Sequence, residues 1–137
     1  MASIFTKIIN GEIPCYKIAE TEHCIAFLDV NPLVKGHTLV IPKKEIDYYF
    51  DLSDDVLLEV NTLAKKVAKA IEKVIPCKRI GVAVIGLEVP HVHVHLIPLN
   101  EMDEVRFQKK VSFTKEEFEE IAKNIKANLY LRTKSFL

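Results

Sequence analysis

The 137-residue sequence predicts an α+β fold, a mainly antiparallel sheet accompanied by one long and two shorter helices. Three observations lead there. Short runs of β-forming residues follow one another across turn residues rather than crossover helices, so their strands pair antiparallel. One long stretch, residues 54–75, carries apolar side chains every three or four positions and reads as a one-sided helix lying on that sheet. Residues 91–99 alternate strictly between two kinds of side chain, the period of a strand with unlike faces.

The elements follow in order. Ser3 caps a short helix over residues 4–10, and Gly11 ends it through its tolerance of left-handed angles. Pro14 forces an extended exit. Runs 15–19 and 24–29, joined by Glu20-Thr21-Glu22-His23, read as a hairpin. Asn31-Pro32 and Lys35-Gly36 turn the chain into strand 37–42, which its proline stops. Ser53 and Asp54 cap the long helix, whose stripe is Val56, Val60, Leu63, Val67, Ile71 and Val74, and Pro76 closes it. Beside that stripe, Leu57, Ala64 and Ala68 offer a second apolar surface for a partner. Residues 79–85 are apolar on both faces, as a covered central strand is. A turn over 86–90 leads to strand 91–99. After the polar segment 100–110 comes a final helix over 115–129, striped by Phe118, Ile121, Ile125 and Leu129, and then a basic and apolar tail, 130–137.

Composition narrows the function. Nineteen Lys and Arg balance nineteen Asp and Glu, for a net charge of zero. That argues against a protein that coats nucleic acid through a basic surface, though it leaves room for a local basic patch facing a small phosphate ligand, and no nucleic-acid partner is expected. The hydrophobic fraction of 49% excludes wholesale disorder. No run approaches the roughly 18 apolar residues of a membrane span, and residues 1–11 lack the features of a signal peptide, so no membrane partner is expected. Cys15, Cys24 and Cys77 are odd in number and without CxxC spacing, which argues against a disulfide framework or a cysteine metal cage. A reducing cytoplasm is the expected location.

The chemistry concentrates in Pro90-His91-Val92-His93-Val94-His95-Leu96-Ile97-Pro98. Alternation puts His91, His93 and His95 on one strand face, about 6.5–7 Å apart, with Val92, Val94 and Leu96 on the other. Three readings of such a row exist. Single strand histidines are commonly surface or satisfied core residues. Imidazoles at i and i+2 can share a zinc ion with open coordination. Alternatively, imidazole acts as nucleophile or general acid, its neighbours resisting joint protonation so that one ring stays neutral.

This run resembles the His-φ-His-φ-His-φ-φ signature of the histidine triad (HIT) superfamily, where φ is apolar. Gly36-His37-Thr38-Leu39-Val40-Ile41-Pro42-Lys43, Ile4-Phe5-Thr6-Lys7-Ile8-Ile9-Asn10-Gly11-Glu12-Ile13-Pro14 and Ala26-Phe27-Leu28-Asp29-Val30-Asn31-Pro32 are similar to its Hint branch. The resemblance covers residues 3–106 as a HIT domain and leaves 107–137 as a C-terminal helix and tail, packed on it or extending from it. It implies a purine-nucleotide-binding enzyme that attacks the α-phosphate of a nucleoside phosphoramidate or related conjugate. His93 is then the nucleophile, passing through a nucleotidyl-histidine that water hydrolyses to a nucleoside monophosphate. His91 and His95 hold phosphoryl oxygens and donate protons, and His37 completes the cluster. Charge stabilisation is expected from imidazolium and backbone donors, with no cofactor and no metal. Asp29 matches the ribose-binding position, and Phe5, Ile8, Ile13, Phe27 and Val30 match the apolar slot around the base. The resemblance also implies a homodimer built through the long helix and a central strand.

The chain departs from the family pattern in two places. Many relatives carry Gly-Gln-Ser or Gly-Gln-Glu before the triad, whereas this chain reads Gly86-Leu87-Glu88-Val89-Pro90 after a shortened loop that lacks a phosphate-contacting Asn. Leu87 has no hydrogen bonds to give, while Glu88 can donate a proton to the leaving group or bind an amine on it. Ser3 and Thr6 stand where some bacterial relatives hold a structural zinc with a Cys-x-x-Cys pair, so no structural zinc is expected. Two other readings remain: a nucleotide-binding module with weak catalysis, and a dinucleoside polyphosphate hydrolase of the Fhit type.

Overall fold

The computed structural model describes residues 2–106 and 110–134, with side chains of the last helix described as far as Leu129. Its elements are α1 (Ile4–Ile9), β1 (Lys17–Glu20), β2 (Cys24–Leu28), β3 (Thr38–Pro42), α2 (Asp54–Val74), β4 (Arg79–Ala83), β5 (Val94–Leu99) and α3 (Lys115–Lys134). The five strands form one sheet in the order β1-β2-β3-β5-β4, with every pairing antiparallel. The α+β class and the mainly antiparallel sheet therefore hold.

Period-two alternation divides the side chains between two cores. On one face, Cys24, Ala26 and Leu28 of β2, Val40 of β3 and Val94 and Leu96 of β5 meet the helices. The α2 stripe answers with Val60, Leu63, Val67 and Ile71, and α3 adds Phe118, Ile121, Ala122 and Ile125 to the same cluster. On the opposite face, Ile25, Phe27, Leu39 and Ile41 pack with Phe5 of α1. That second face carries the histidines, since His95 pairs with Leu39 in register.

Local signals are met where a side chain enforces them. Ser3 Oγ accepts the Thr6 amide as N-cap of α1, and Gly11 follows the helix at φ +80°. Ser53 Oγ accepts the Val56 amide at the start of α2. Gly36 turns the chain into β3 at φ +89°, where a Cβ would lie 3.0 Å from Ile75.

The structure refines four expectations. Strand β5 starts at Val94, so His91 and His93 precede it. Continuing the β3–β5 register would set Val92 against Pro42, which has no N–H for the ladder. The Val92 amide instead donates to the Ile46 carbonyl. Within one protomer, strand β4 is the edge strand, with Val82 64% exposed, so only a partner's strand would cover it. Ala64 is buried in the protein's own core, so it offers nothing to a partner, while Leu57 and Ala68 are half-buried. Finally, α3 runs to Lys134, five residues past the expected end at Leu129, and so nearly matches α2 in length. Nothing in the segment after Leu129 is a Gly or Pro that would stop it. Residues 135–137 of the expected tail lie outside the described residues.

Candidate functional site

A cleft of about 500 Å³ opens on the histidine face of the sheet. Ile4, Phe5 and Ile8 of α1 wall one side, with Ile13 and Phe27 beside them, and Asp29 and Val30 lie at the end of β2. The turn from Ile85 to Val89 also lines the cleft, and so do His93 and His95. The sequence-predicted residues Phe5, Ile8, Ile13, Phe27, Asp29, Val30, Glu88, His93 and His95 are thus brought together in one cavity. An apolar slot with a few placed polar groups is the usual build of a small-ligand pocket. Leu87 stands 88% exposed on the rim.

His37 and His91 lie behind the lining. His91 is wholly buried, with Nδ1 2.7 Å from Ser3 Oγ and Nε2 2.8 Å from the Pro42 carbonyl oxygen. Both of its ring nitrogens are therefore engaged by protein, which suits an orienting part and not contact with phosphoryl oxygens. His37 is also buried, and its Nδ1 accepts the Leu33 amide at 3.0 Å.

These bonds assign the protons, because a carbonyl only accepts and an amide only donates. His93 Nδ1 lies 2.7 Å from the His91 carbonyl oxygen, so Nδ1–H donates and the neutral ring keeps its lone pair on Nε2. The Leu33 amide places the His37 proton on Nε2, which donates to His95 Nδ1 at 2.9 Å. His95 then carries its own proton on Nε2. The result is one ring with an unprotonated nitrogen beside one with an N–H donor, their centroids 5.0 Å apart.

Burial sets the charge state. Desolvation pushes His37 down to about 4, against the opposing pull of Asp29, whose Oδ2 is 3.6 Å from Nε2. Burial, and then His37, push His95 down to about 3. Burial also lowers His91. His37 and His95 are thus neutral at pH 7, and their donors are neutral N–H groups rather than the expected imidazolium.

Asp29, His37 and His95 each bring one potential ligand atom within 4.8 Å of the others, a grouping a divalent cation can use. The hydrogen bonding opposes it. A metal on His37 Nε2 would put the ring proton on Nδ1, facing the Leu33 N–H donor.

Sequence reasoning missed Lys110, which lines the cleft and lowers both His37 and His95 electrostatically. No local signal marks it. The Val111 amide bonds the Pro32 carbonyl at 2.8 Å and carries the segment back to the site. Leu39 also lines the cleft, and it was recoverable, since strand alternation places it on the face of His37.

Comparison with known proteins agrees with this arrangement. A family model for the HIT domain matches residues 10–102. The adenosine 5′-monophosphoramidase of Schizosaccharomyces pombe is 45% identical over 100 residues, which span 72% of this chain and 74% of that protein. A HIT-like protein of Borreliella burgdorferi is 36% identical over 135 residues, 92% of this chain and 97% of its own. The crystal structure of a HIT-like protein from Bartonella henselae superimposes with a TM-score of 0.81 at 35% identity, covering 92% of this chain and 95% of that one.

Proposed function

The chain belongs to the HIT family, and on that premise we propose that it is a nucleotide hydrolase of the phosphoramidase type, acting on the α-phosphate of purine nucleoside phosphoramidates or related nucleotidyl conjugates. The observation that carries the reading is the 2.7 Å bond from His93 Nδ1 to the His91 carbonyl, which leaves Nε2 as the unprotonated nitrogen of a cleft-lining ring.

In this reading the base lies in the apolar slot of Phe5, Ile8, Ile13 and Phe27, and Asp29 accepts the ribose hydroxyls. His93 Nε2 attacks phosphorus. The bond from phosphorus to the leaving nitrogen breaks, its electron pair stays on that nitrogen, and the nitrogen takes up a proton from solvent to depart as a neutral amine; the hydrolytic water returns a proton to solvent in the second step. His95 Nε2–H hydrogen-bonds a phosphoryl oxygen as charge gathers there. Water then attacks the nucleotidyl-histidine, the P–Nε2 bond breaks, and nucleoside monophosphate leaves. Glu88, in the turn that lines the cleft, handles the leaving group.

The enzyme is further proposed to be a homodimer joined along β4. That strand leaves one edge unpaired among the described residues, with Val82 and Ile85 exposed beside it. Light scattering giving about 15.6 kDa at micromolar concentration would refute the dimer. Among the described residues no helix is long and apolar enough to cross a membrane. Cys15, Cys24 and Cys77 are free thiols, in keeping with the reducing compartment we propose.

The activity test is turnover of adenosine 5′-phosphoramidate by the wild type and by His93→Ala, with diadenosine polyphosphates as the competing substrate class. Turnover lost in His93→Ala while AMP still binds supports the reading. Preference for the dinucleotides would move the protein to the Fhit type. The 88% exposed Leu87, where relatives place a polar side chain, favours a second reading as a nucleotide-binding module with weak catalysis. AMP binding without measurable turnover would establish that one.

A further inference from the structure

A cluster of polar groups outside the cleft joins the start of α1 to the triad. Ser3 is buried, 88 positions from His91, and its Oγ lies 2.7 Å from His91 Nδ1. The far side of the ring fixes the direction of that bond. Because His91 Nε2–H donates to the Pro42 carbonyl at 2.8 Å, Nδ1 is an acceptor in the neutral ring, and the Ser3 hydroxyl is its donor. The same Ser3 oxygen accepts the Thr6 amide at 3.1 Å as the cap of α1.

Glu45, just beyond β3, holds this corner in place. Its Oε1 accepts the Ser3 amide at 2.7 Å and the Thr6 hydroxyl at 2.6 Å. The Thr6 hydroxyl also lies 3.5 Å from His91 Nδ1, but its proton is committed to the carboxylate at the shorter distance. One hydroxyl therefore performs two tasks. It closes the helix that walls the base slot, and it holds the acceptor nitrogen of the first triad ring.

We propose that Ser3, anchored by Glu45, is a positioning residue for phosphoryl transfer, coupling the helix that contacts the base to the aim of His93. The path runs through adjacent groups. The Ser3 hydroxyl holds the His91 ring, and the His91 carbonyl takes the Nδ1 proton of His93 at 2.7 Å. Phe5, two residues along from Ser3, sets its ring edge-on to His93 with centroids 5.0 Å apart, and 5.8 Å from His91. A base seated against Phe5 and Ile8 thus presses on the same corner that orients the nucleophile. The inference rests on the reading that His93 Nε2 attacks phosphorus.

The test separates the cap from the hydrogen bond to His91. Ser3→Gly keeps most of the capping preference but has no hydroxyl, whereas Ser3→Thr keeps both. The measurements are kcat and KM for adenosine 5′-phosphoramidate, thermal unfolding, and ring ¹⁵N chemical shifts of His91 and His93 in the full chain. Ser3→Gly is expected to unfold several degrees below the wild type, since the buried His91 Nδ1 loses its donor, and to remain folded at the assay temperature. Its kcat should drop about tenfold, the value of one buried hydrogen bond, with KM changing less than threefold. The His91 Nδ1 ¹⁵N shift should move as that nitrogen loses its hydrogen-bond donor, with Nε2–H still held by the Pro42 carbonyl, and the His93 ring shifts should move with the His91 backbone that carries its acceptor. Ser3→Thr should restore rate and spectrum. Wild-type kcat and ring shifts in Ser3→Gly would overturn the proposal, as would a loss that Ser3→Thr fails to restore. A wild type that turns over no phosphoramidate would defeat the catalytic reading alone, and the ring ¹⁵N shifts would still decide whether Ser3 orders the triad.

Discussion

Acidification from pH 7.5 to 5.0 is a perturbation whose effect follows from two buried histidines, His37 behind the cleft and His95 in its lining. His37 is held down to about 4 and His95 to about 3, mainly by burial, against an ordinary value of 6.5. In the unfolded chain both rings bind protons below 6.5, while in the folded protein they do not until the pH approaches 4. The unfolded state therefore binds more protons throughout this window, and stability falls as the pH falls. Each pH unit below 6.5 costs about 1.4 kcal/mol per such ring, so His37 alone removes about 2 kcal/mol by pH 5. His95 adds a similar amount and His91 acts in the same direction, which brings the expected loss to about 4 kcal/mol out of the roughly 5–15 of a typical domain. Glu20 and Glu59, held near 2 by their hydrogen-bonded partners, begin to weaken the fold only below their ordinary 4.5, so this window is free of them. His23 works the opposite way, because Glu59 raises its pKa, but it is exposed and screened by solvent. Urea unfolding at the two pH values is the assay. With a slope of about 1–3 kcal/mol/M, the midpoint should drop by more than about 1 M at pH 5.0. An unchanged or higher midpoint would show that the two rings are not neutral and desolvated as described.

Three further outcomes are expected. If Glu88 handles the leaving group, Glu88→Gln should slow amine-bearing phosphoramidates about tenfold more than neutral esters, by removing a charge-assisted contact. A flat substrate profile would reduce Glu88 to a turn residue. Exhaustive chelation should leave turnover unchanged, because the Leu33 amide opposes a metal on His37. Stoichiometric zinc in fresh protein, with activity lost on its removal, would replace the nucleophilic mechanism by a metallohydrolase one. Lys110→Ala should weaken AMP binding about fivefold and leave adenosine binding unchanged, since a rim cation contributes up to about 1 kcal/mol to an anion. Equal loss for both ligands would show that Lys110 shapes the wall rather than meeting phosphate.

What was legible in the sequence is what period alone determines. Alternation of two separates Ile25 and Phe27 from Cys24 and Ala26, and it puts His37, Leu39 and His95 on one face. The α2 stripe and the Ser3 and Ser53 caps are equally local, and each stands where the residue type requires. Features that depend on a distant partner were not legible. The apolar residues of β4 suggest a covered strand, but nothing local says that the covering is absent within the protomer, where the sheet order makes it an edge. His91 and His93 share a spacing and a face, but the Pro42 carbonyl and the Ser3 hydroxyl withdraw one from the cleft and leave the other lining it. Lys110 and Glu45 lie in segments with no periodic signal, and tertiary hydrogen bonds, made 79 residues away in the case of Val111 to Pro32, give them their places.

The account turns on His93 Nε2 as the attacking atom. The most direct test is rapid-quench mass spectrometry of the wild type with adenosine 5′-phosphoramidate. It predicts a transient enzyme species heavier by one adenylyl group, attached to the peptide containing His93 and absent from His93→Ala. Turnover by the wild type with no such species at any quench time, or an adduct on His91 or His95, would contradict it.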